Sequence, residues 1–321
     1  MWSLYPEINT ELTKVEDYIK KNIVSKNKWL TGLVTGLVDA GGKRLRPVFV
    51  ILSAKFGNYD SEKAVSLAGA IEILHTATLV HDDVIDQAKV RRGKRTVSDE
   101  FGSDMAVYTG DYLLTTALHM LSKGISAENL DKVALAVRTI CEGEVSQYQD
   151  RFNINLSMLS YFKRISKKTA VLFGAACSLG AYIAECPDNI TKVLSRFGFN
   201  YGMAFQIKDD LNDFLTNPIK SGKPVLRDLF EGTVTLPVIL ALQKNEKNKA
   251  LVRNIFSRDN KLSNRDIDEI LEMVKTSGGI QASCGILEKY ISRAKEALTS
   301  LPDNYYRHIL EQLASKLAEE S

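Results

Sequence analysis

Two acidic runs carry the most chemistry in this 321-residue chain. His81-Asp82-Asp83-Val84-Ile85-Asp86 and Lys208-Asp209-Asp210-Leu211-Asn212-Asp213 both read D-D-x-x-D. Each follows an apolar stretch with helical spacing: Ile73 to Val80 leads into the first, Phe205 to Ile207 into the second. Residues i and i+4 of a helix share a face, so Asp82 points with Asp86 and Asp209 with Asp213. Two carboxylates roughly 6 Å apart repel by roughly 3 kcal/mol at an effective dielectric near 20. A core-facing helix has no reason to carry that repulsion twice, and a bound divalent cation removes it. Magnesium takes oxygen ligands, keeps several waters and is usually held by one or two carboxylates plus substrate phosphates. Two acidic rims therefore suit a diphosphate gripped through Mg²⁺ ions.

Basic residues flank the first run. Gly41-Gly42-Lys43-Arg44-Leu45-Arg46-Pro47 precedes it, and Lys89-Val90-Arg91-Arg92-Gly93-Lys94-Arg95 follows it. Arginine pairs with phosphate through two parallel hydrogen bonds, and lysine acts as a compact charge. Gly41 and Gly42 let backbone approach an anion closely. Pro47 marks a helix start, where free N–H groups also favour anions. Beside the acidic runs, Lys43, Arg46, Arg91 and Arg92 point to an anion site rather than a solvated basic loop. Lys168 and Thr169 open the apolar stretch 170–186, and Lys223 lies in a Pro/Gly-rich segment after the second run. Gln206 stands one turn before Asp210, where a pocket lining and a core hydrogen bond are equally open readings. His75 stands two turns before Asp82; by pattern alone it is more often a core histidine than a ligand.

The elements that must position these groups are helices. Apolar residues recur every three or four positions, as in Leu67, Ile71, Leu74 and in Val133, Val137, Ile140. Strand-like alternation is absent, so the chain reads as all-α with ten or more helices. Breaks fall near 38–43, 56–61, 87–102, 124–129, 151–156, 186–189, 216–237 and 257–263. None has the length or composition of an interdomain linker, and the expectation is one helical domain over 1–321. A net charge of +3 offers no nucleic-acid partner. Cys141, Cys177, Cys186 and Cys284 lack metal-ligand spacing and read as buried free thiols of a reducing compartment. The start MWSLYPEINTEL lacks a basic region followed by an apolar one, so no signal peptide is expected. The stretch 170–186 is too short for a membrane span and reads as a core helix.

The set G-G-K-R-L-R-P, H-T-A-T-L-V-H-D-D-V-I-D, R-R-G-K, K-K-T-A, F-Q-I-K-D-D-L-N-D and G-K-P-V…D-L…T-L-P, in this order, resembles the trans-isoprenyl diphosphate synthases over about residues 36–309. The run Ala106-Val107-Tyr108-Thr109-Gly110-Asp111-Tyr112-Leu113 looks like the medium-chain members, the catalytic components of hexaprenyl and heptaprenyl diphosphate synthases. The resemblance implies an all-α bundle around a deep central cavity, usually dimeric, in the cytoplasm. It implies head-to-tail condensation of isopentenyl diphosphate with an allylic diphosphate, giving a polyprenyl chain for quinones. Asp82, Asp83 and Asp86 would hold two Mg²⁺ ions on the allylic diphosphate, and Asp209, Asp210 and Asp213 a third. Gly42, Lys43, Arg46, His75 and Arg92 match the isopentenyl diphosphate site, and Arg91, Lys168 and Lys223 the allylic clamp. Thr169 and Gln206 match polar groups near the developing carbocation. Many relatives carry a lysine where this chain has Thr233.

The chemistry agrees with this assignment. An allylic C–O bond ionises when metals and fixed cations stabilise its leaving diphosphate. The cation must then meet the alkene before water does. Ala77 and Thr78 are small and lie roughly 7 Å below the metal site on a 1.5 Å helical rise, so the growing chain should pass them and exceed about fifteen carbons, reaching about thirty to thirty-five. The alternatives are a geranylgeranyl diphosphate synthase, a terpene cyclase, a phosphohydrolase using His81-Asp82 and a non-catalytic subunit. Lys43, Arg46 and Arg92 oppose a cyclase, which needs no isopentenyl site. The few remaining histidines oppose a hydrolase, and six retained aspartates oppose a non-catalytic role. The expected assembly is a homodimer or a heterodimer with a small regulatory subunit, with at most transient membrane contact at product release.

Overall fold

The computed structural model describes residues 2–215, 227–257 and 263–319. After a short 3₁₀ turn at Trp2–Leu4 come α1 (Pro6–Asn22), α2 (Lys28–Asp39), α3 (Leu45–Ala54), α4 (Ser61–Ile85), α5 (Val97–Phe101), α6 (Ser103–Gly124) and α7 (Ala127–Gln149). Then follow α8 (Met158–Ile165), α9 (Val171–Ile183), α10 (Asp188–Leu215) and α11 (Arg227–Phe230). The last five are α12 (Leu236–Lys244), α13 (Glu246–Phe256), α14 (Asn264–Thr276), α15 (Gly279–Leu298) and α16 (Tyr305–Glu319). The expected all-α class holds. Two compact units emerge: Met1–Ala134 with Ala175–Ser195, and Leu135–Gly174 with Arg196–Ser321.

In the first unit, α4 is the organising helix. Asp60 caps it by accepting hydrogen bonds from the Glu62 and Lys63 backbone N–H groups at 2.9 and 3.1 Å, a favourable N-terminal cap. Its residues are apolar on nearly every side, as a core helix requires, and it packs against α1, α3 and α6. Among the described residues it is the one helix long and apolar enough to cross a membrane, but 72% of that window is buried. One face stays partly open: His75, Thr78 and Asp82 are half-buried amid otherwise buried neighbours. Gly180 lets α9 close on α3, since a Cβ there would stand 2.3 Å from the Val50 carbonyl oxygen. In the second unit, α12 packs on α15, and α15 on α16.

Several local features depart from the sequence reading. The break at 87–102 contains a two-residue antiparallel hairpin, Val90–Arg91 with Lys94–Arg95, and the short helix α5. Its turn places Arg92 at φ 52° and Gly93 at φ 76°, the left-handed pair that a tight type I′ hairpin demands. Lys168 and Thr169 do not begin α9; they lie in a π-helical turn, Ser166–Ala170, that precedes it. Of the four cysteines, Cys177 is buried and Cys141 is exposed. Cys141 sits on the outer side of α7, where the apolar spacing does not reach it.

Candidate active site

The anion-binding candidates of the first unit converge. Arg44, at φ 50°, is the residue before α3. Its guanidinium is buried, donating to Glu72 and to the Val38 carbonyl, each at 2.6 Å. Arg44 thus anchors the loop, while Lys43 beside it is exposed. Arg92 donates to the Gly41 carbonyl and lies against Gly42, where a Cβ would meet the guanidinium at 2.8 Å. Only glycine at position 42 leaves that space. Two arginines in the left-handed region are costly backbone states, of the kind that persist at functional sites.

His75 reports the field at this cluster. Burial first, and then Arg46, Arg92, Arg91 and Arg44, hold its imidazole well below the usual histidine range. Arg46 is pushed down to about 10, chiefly by burial and further by Arg92, against the pull of Glu72. Buried positive charge of this kind is stabilised by a neighbouring anion.

Asp82 on α4 and Asp86, the residue that ends it, are both half-buried and lie with His75 and Thr78 along one helical face. Asp83 turns away: it is buried and accepts from Arg91 Nε at 2.7 Å. His81 lies against α6 at Gly110, where a Cβ would stand 2.3 Å from its Nε2, and it faces Asp111 at 3.2 Å. Ala77 is fully buried, whereas Thr78 is half-buried and donates to the His75 carbonyl at 2.8 Å.

The second unit builds its acidic group on α10. Asp209 is exposed and Asp213 half-buried on one face. Asp210 is buried, accepting from Tyr161 OH at 2.7 Å and from Gln206 Nε2 at 2.9 Å. Gln206 in turn accepts from Thr169 Oγ1 at 2.7 Å. One continuous chain of hydrogen bonds, Thr169–Gln206–Asp210–Tyr161, ties the π-helical turn to α8 and α10. The turn fits between two glycines. A Cβ on Gly143 would stand 3.0 Å from the Lys168 nitrogen, and one on Gly202 would stand 2.6 Å from the Ala170 Cα. Lys168 Nζ donates to Glu144 at 2.9 Å. Lys223 lies outside the described residues.

Carboxyls crowd here. Burial above all, and then Asp209, raise Asp210 to about 6 despite the two donors. Asp228 is pushed well above the usual carboxylate range by burial and then by Asp213, Asp210, Asp209 and Glu231. Its backbone N–H faces Asp213 Oδ2 at 3.4 Å. Among the described residues, no three His, Cys, Asp or Glu side chains form a ready-made metal cage. Oxygen donors in pairs fit Mg²⁺ that completes its shell with water and phosphate oxygen.

Sequence reasoning missed Tyr161, Glu144 and Arg164 and gave Asp228 no role. Tyr161 and Arg164 lie three apart on amphipathic α8, a spacing any surface helix shows. Buried Arg164 donates from Nη2 to the Val234 carbonyl at 2.8 Å. It thereby fixes the segment in which Thr233 N–H donates to the Asp228 carbonyl at 2.8 Å.

Residues 27–274 match the family described as Polyprenyl synthetase. The chain belongs to the polyprenyl synthetase family. It is therefore an enzyme of the prenyltransferase class with an isoprenoid-synthase fold. It is 36% identical over 315 residues to heptaprenyl diphosphate synthase component 2 of Bacillus subtilis, covering 98% of this chain and 89% of that one. It is 35% identical to octaprenyl diphosphate synthase of Escherichia coli, over 87% of this chain and 86% of the relative. The crystal structure of heptaprenyl diphosphate synthase from Staphylococcus aureus superposes with a TM-score of 0.93 at 35% identity, over 97% and 98% of the two chains. A polyprenyl synthase from Caulobacter crescentus, complexed with calcium and isoprenyl diphosphate, gives 0.92 at 33%, over 98% and 96%.

Proposed function

We propose that this chain condenses isopentenyl diphosphate with an allylic diphosphate, head to tail, to make a medium- to long-chain all-trans polyprenyl diphosphate. The observation that carries the reading is the arginine cluster around neutral His75 beside the Asp82–Asp86 face of α4. One diphosphate needs fixed cations and the other needs metal-bridged carboxylates, and α4 with its flanking loops offers both. The family match spans residues of both compact units, which supports reading them as one synthase domain.

Lys43, Arg46, His75 and Arg92, with Gly42, bind the isopentenyl diphosphate. Neutral His75 accepts or donates a hydrogen bond without adding charge. Arg91 and Lys168 bind the allylic diphosphate, each exchanging its resting carboxylate partner, Asp83 or Glu144, for phosphate oxygen. Asp82 and Asp86, and likewise Asp209 and Asp213, would hold Mg²⁺, three ions by family resemblance. Bound magnesium neutralises charge on the leaving diphosphate. Asp83 and Asp210, turned into protein contacts, orient their neighbours. Thr169 and Gln206 present fixed dipoles where positive charge develops, at no cost of reorganisation. The apolar body of α4 excludes water from the cation.

Thr78 and Ala77 are small at roughly 7 Å below Asp82, which supports a product of about thirty to thirty-five carbons. The resemblance to a heptaprenyl synthase "component 2" supports a small regulatory subunit as partner, with a homodimer as the other arrangement. Cytoplasmic action with transient membrane contact at release suits soluble substrates and a greasy product. Incubation of the purified chain with farnesyl diphosphate, labelled isopentenyl diphosphate and Mg²⁺ tests the reading. A labelled chain longer than geranylgeranyl diphosphate supports it. Elongation only after a small subunit is added assigns the heteromeric arrangement. No elongation under either condition overturns it.

A further inference from the structure

A cavity lies in the first unit, on a different face of α4 from Asp82. It holds about 710 Å³, within the roughly 300–1,000 Å³ of pockets that take small molecules. Helix α2 forms one wall, α4 the wall opposite, and the hairpin with α5 the end. Its body is apolar, with Trp29, Leu33, Leu37, Leu79 and Val97 in the lining. Trp29 packs edge-on against Phe101 at 5.1 Å between ring centroids.

Charge is distributed unevenly around it. Lys28, Arg91, Arg92, Lys94 and Arg95 line the cavity against two acids, Asp83 and Glu100. Asp83 is already paired with Arg91. Positive charge therefore exceeds negative at the edge of an apolar space, and it comes from α2 and from the hairpin alike.

The α2 wall carries a further sign. Gly32 and Gly36 sit inside the helix and line the cavity. Each costs about 1 kcal/mol relative to alanine in a helix interior. Close packing does not explain them, since a Cβ at either would meet nothing within 4 Å. Their effect is to keep the wall open. Any larger side chain would project into the cavity.

We propose that this cavity binds a single-chain amphiphile with a phosphate-type head group. The aliphatic tail lies along Trp29, Leu33 and Leu79, over Gly32 and Gly36. The head group meets Lys28, Lys94 and Arg95 at the rim. The inference goes beyond the synthase reading, and its test needs no turnover.

Trp29 is a built-in reporter, because the chain's other tryptophan is Trp2. Dodecyl phosphate, which has no allylic bond to ionise, is titrated into the full chain in Mg²⁺-free buffer with chelator while tryptophan emission is followed. The expected result is a saturable blue shift that the Trp29→Phe variant lacks. Dodecanol and inorganic phosphate should bind at least tenfold more weakly. Gly36→Leu, which fills the cavity, and the surface double variant Lys28→Glu/Lys94→Glu should each raise the dissociation constant at least tenfold with helicity unchanged. The absence of a Trp29-dependent shift, or equal affinity in the double variant and the wild type, overturns the proposal.

Discussion

Tyr161 donates its phenolic hydrogen to Asp210 Oδ2 at 2.7 Å, and both side chains are buried. One of the three aspartates of the second D-D-x-x-D run on α10 is thus locked by a neighbour from α8. The lock holds Asp210 in place, and with it the register of Asp209 and Asp213 on the outer face.

Tyr161→Phe removes the donor and little else. A buried acceptor that loses a partner costs about 1–3 kcal/mol, so the denaturant midpoint should fall accordingly. Turnover should fall about 10- to 100-fold, which is about 1.4–2.7 kcal/mol in the barrier. The KM for isopentenyl diphosphate should hold, because the residues proposed to bind it lie in the other unit. Unchanged turnover would reject the positioning role.

Adjacent Lys43 and Arg44 should behave in opposite ways. Arg44 and Glu72 form a buried pair, and removing one partner of such a pair typically costs about 3–5 kcal/mol. Arg44→Met should therefore unfold early in urea. Exposed Lys43→Ala should leave the urea midpoint in place and raise the KM for isopentenyl diphosphate. Matching effects of the two variants on stability would show that the loop is read wrongly.

His75 sets an acid-side dependence. The folded imidazole stays neutral well below 6.5, whereas the unfolded chain takes up a proton near 6.5. The unfolded state then binds more protons, so the contribution of neutral His75 is fully present above about 6.5 and is lost as pH falls below it. His75→Gln, which cannot charge, should flatten the stability slope between about pH 6.5 and 5. An identical slope in the variant would assign it to other groups.

Thr78→Phe should shorten the product, because Thr78 lies partly open on the face of His75 and Asp82. Ala77→Tyr should shorten it too, with an added overpacking cost of about 1–3 kcal/mol at a fully buried site. Chromatography of the dephosphorylated products reads the length. Wild-type length in both variants would show that other residues set product length.

The long helices and the two acidic faces were legible because each repeats within one turn. Spacing alone pairs Asp82 with Asp86 and Asp209 with Asp213, and apolar neighbours mark the helices as core. What was not legible depends on contacts far apart in sequence. Nothing near Asp83 says that Arg91 will claim it, and nothing near Asp210 names Tyr161. The π-helical turn at 166–170 packs closely against Gly143 and Gly202 from other helices, contacts that the local sequence does not show, so Lys168 and Thr169 looked like an ordinary helix start. The hairpin escaped because its strands are two residues long and Arg92 stands where asparagine or aspartate usually signals such a turn. Arg44 and Arg46 are indistinguishable as letters; burial against Glu72 makes one structural.

The central proposal is that the Asp82–Asp86 face and the Asp209–Asp213 face each bind diphosphate through magnesium. The most direct test is calorimetric titration of a non-ionisable thiolo analogue of farnesyl diphosphate, with and without Mg²⁺, into wild type, Asp82→Ala and Asp209→Ala. The account predicts Mg²⁺-dependent binding that weakens at least tenfold in each variant, about 1.4 kcal/mol, with helicity intact. Full Mg²⁺-dependent affinity in either variant would contradict it.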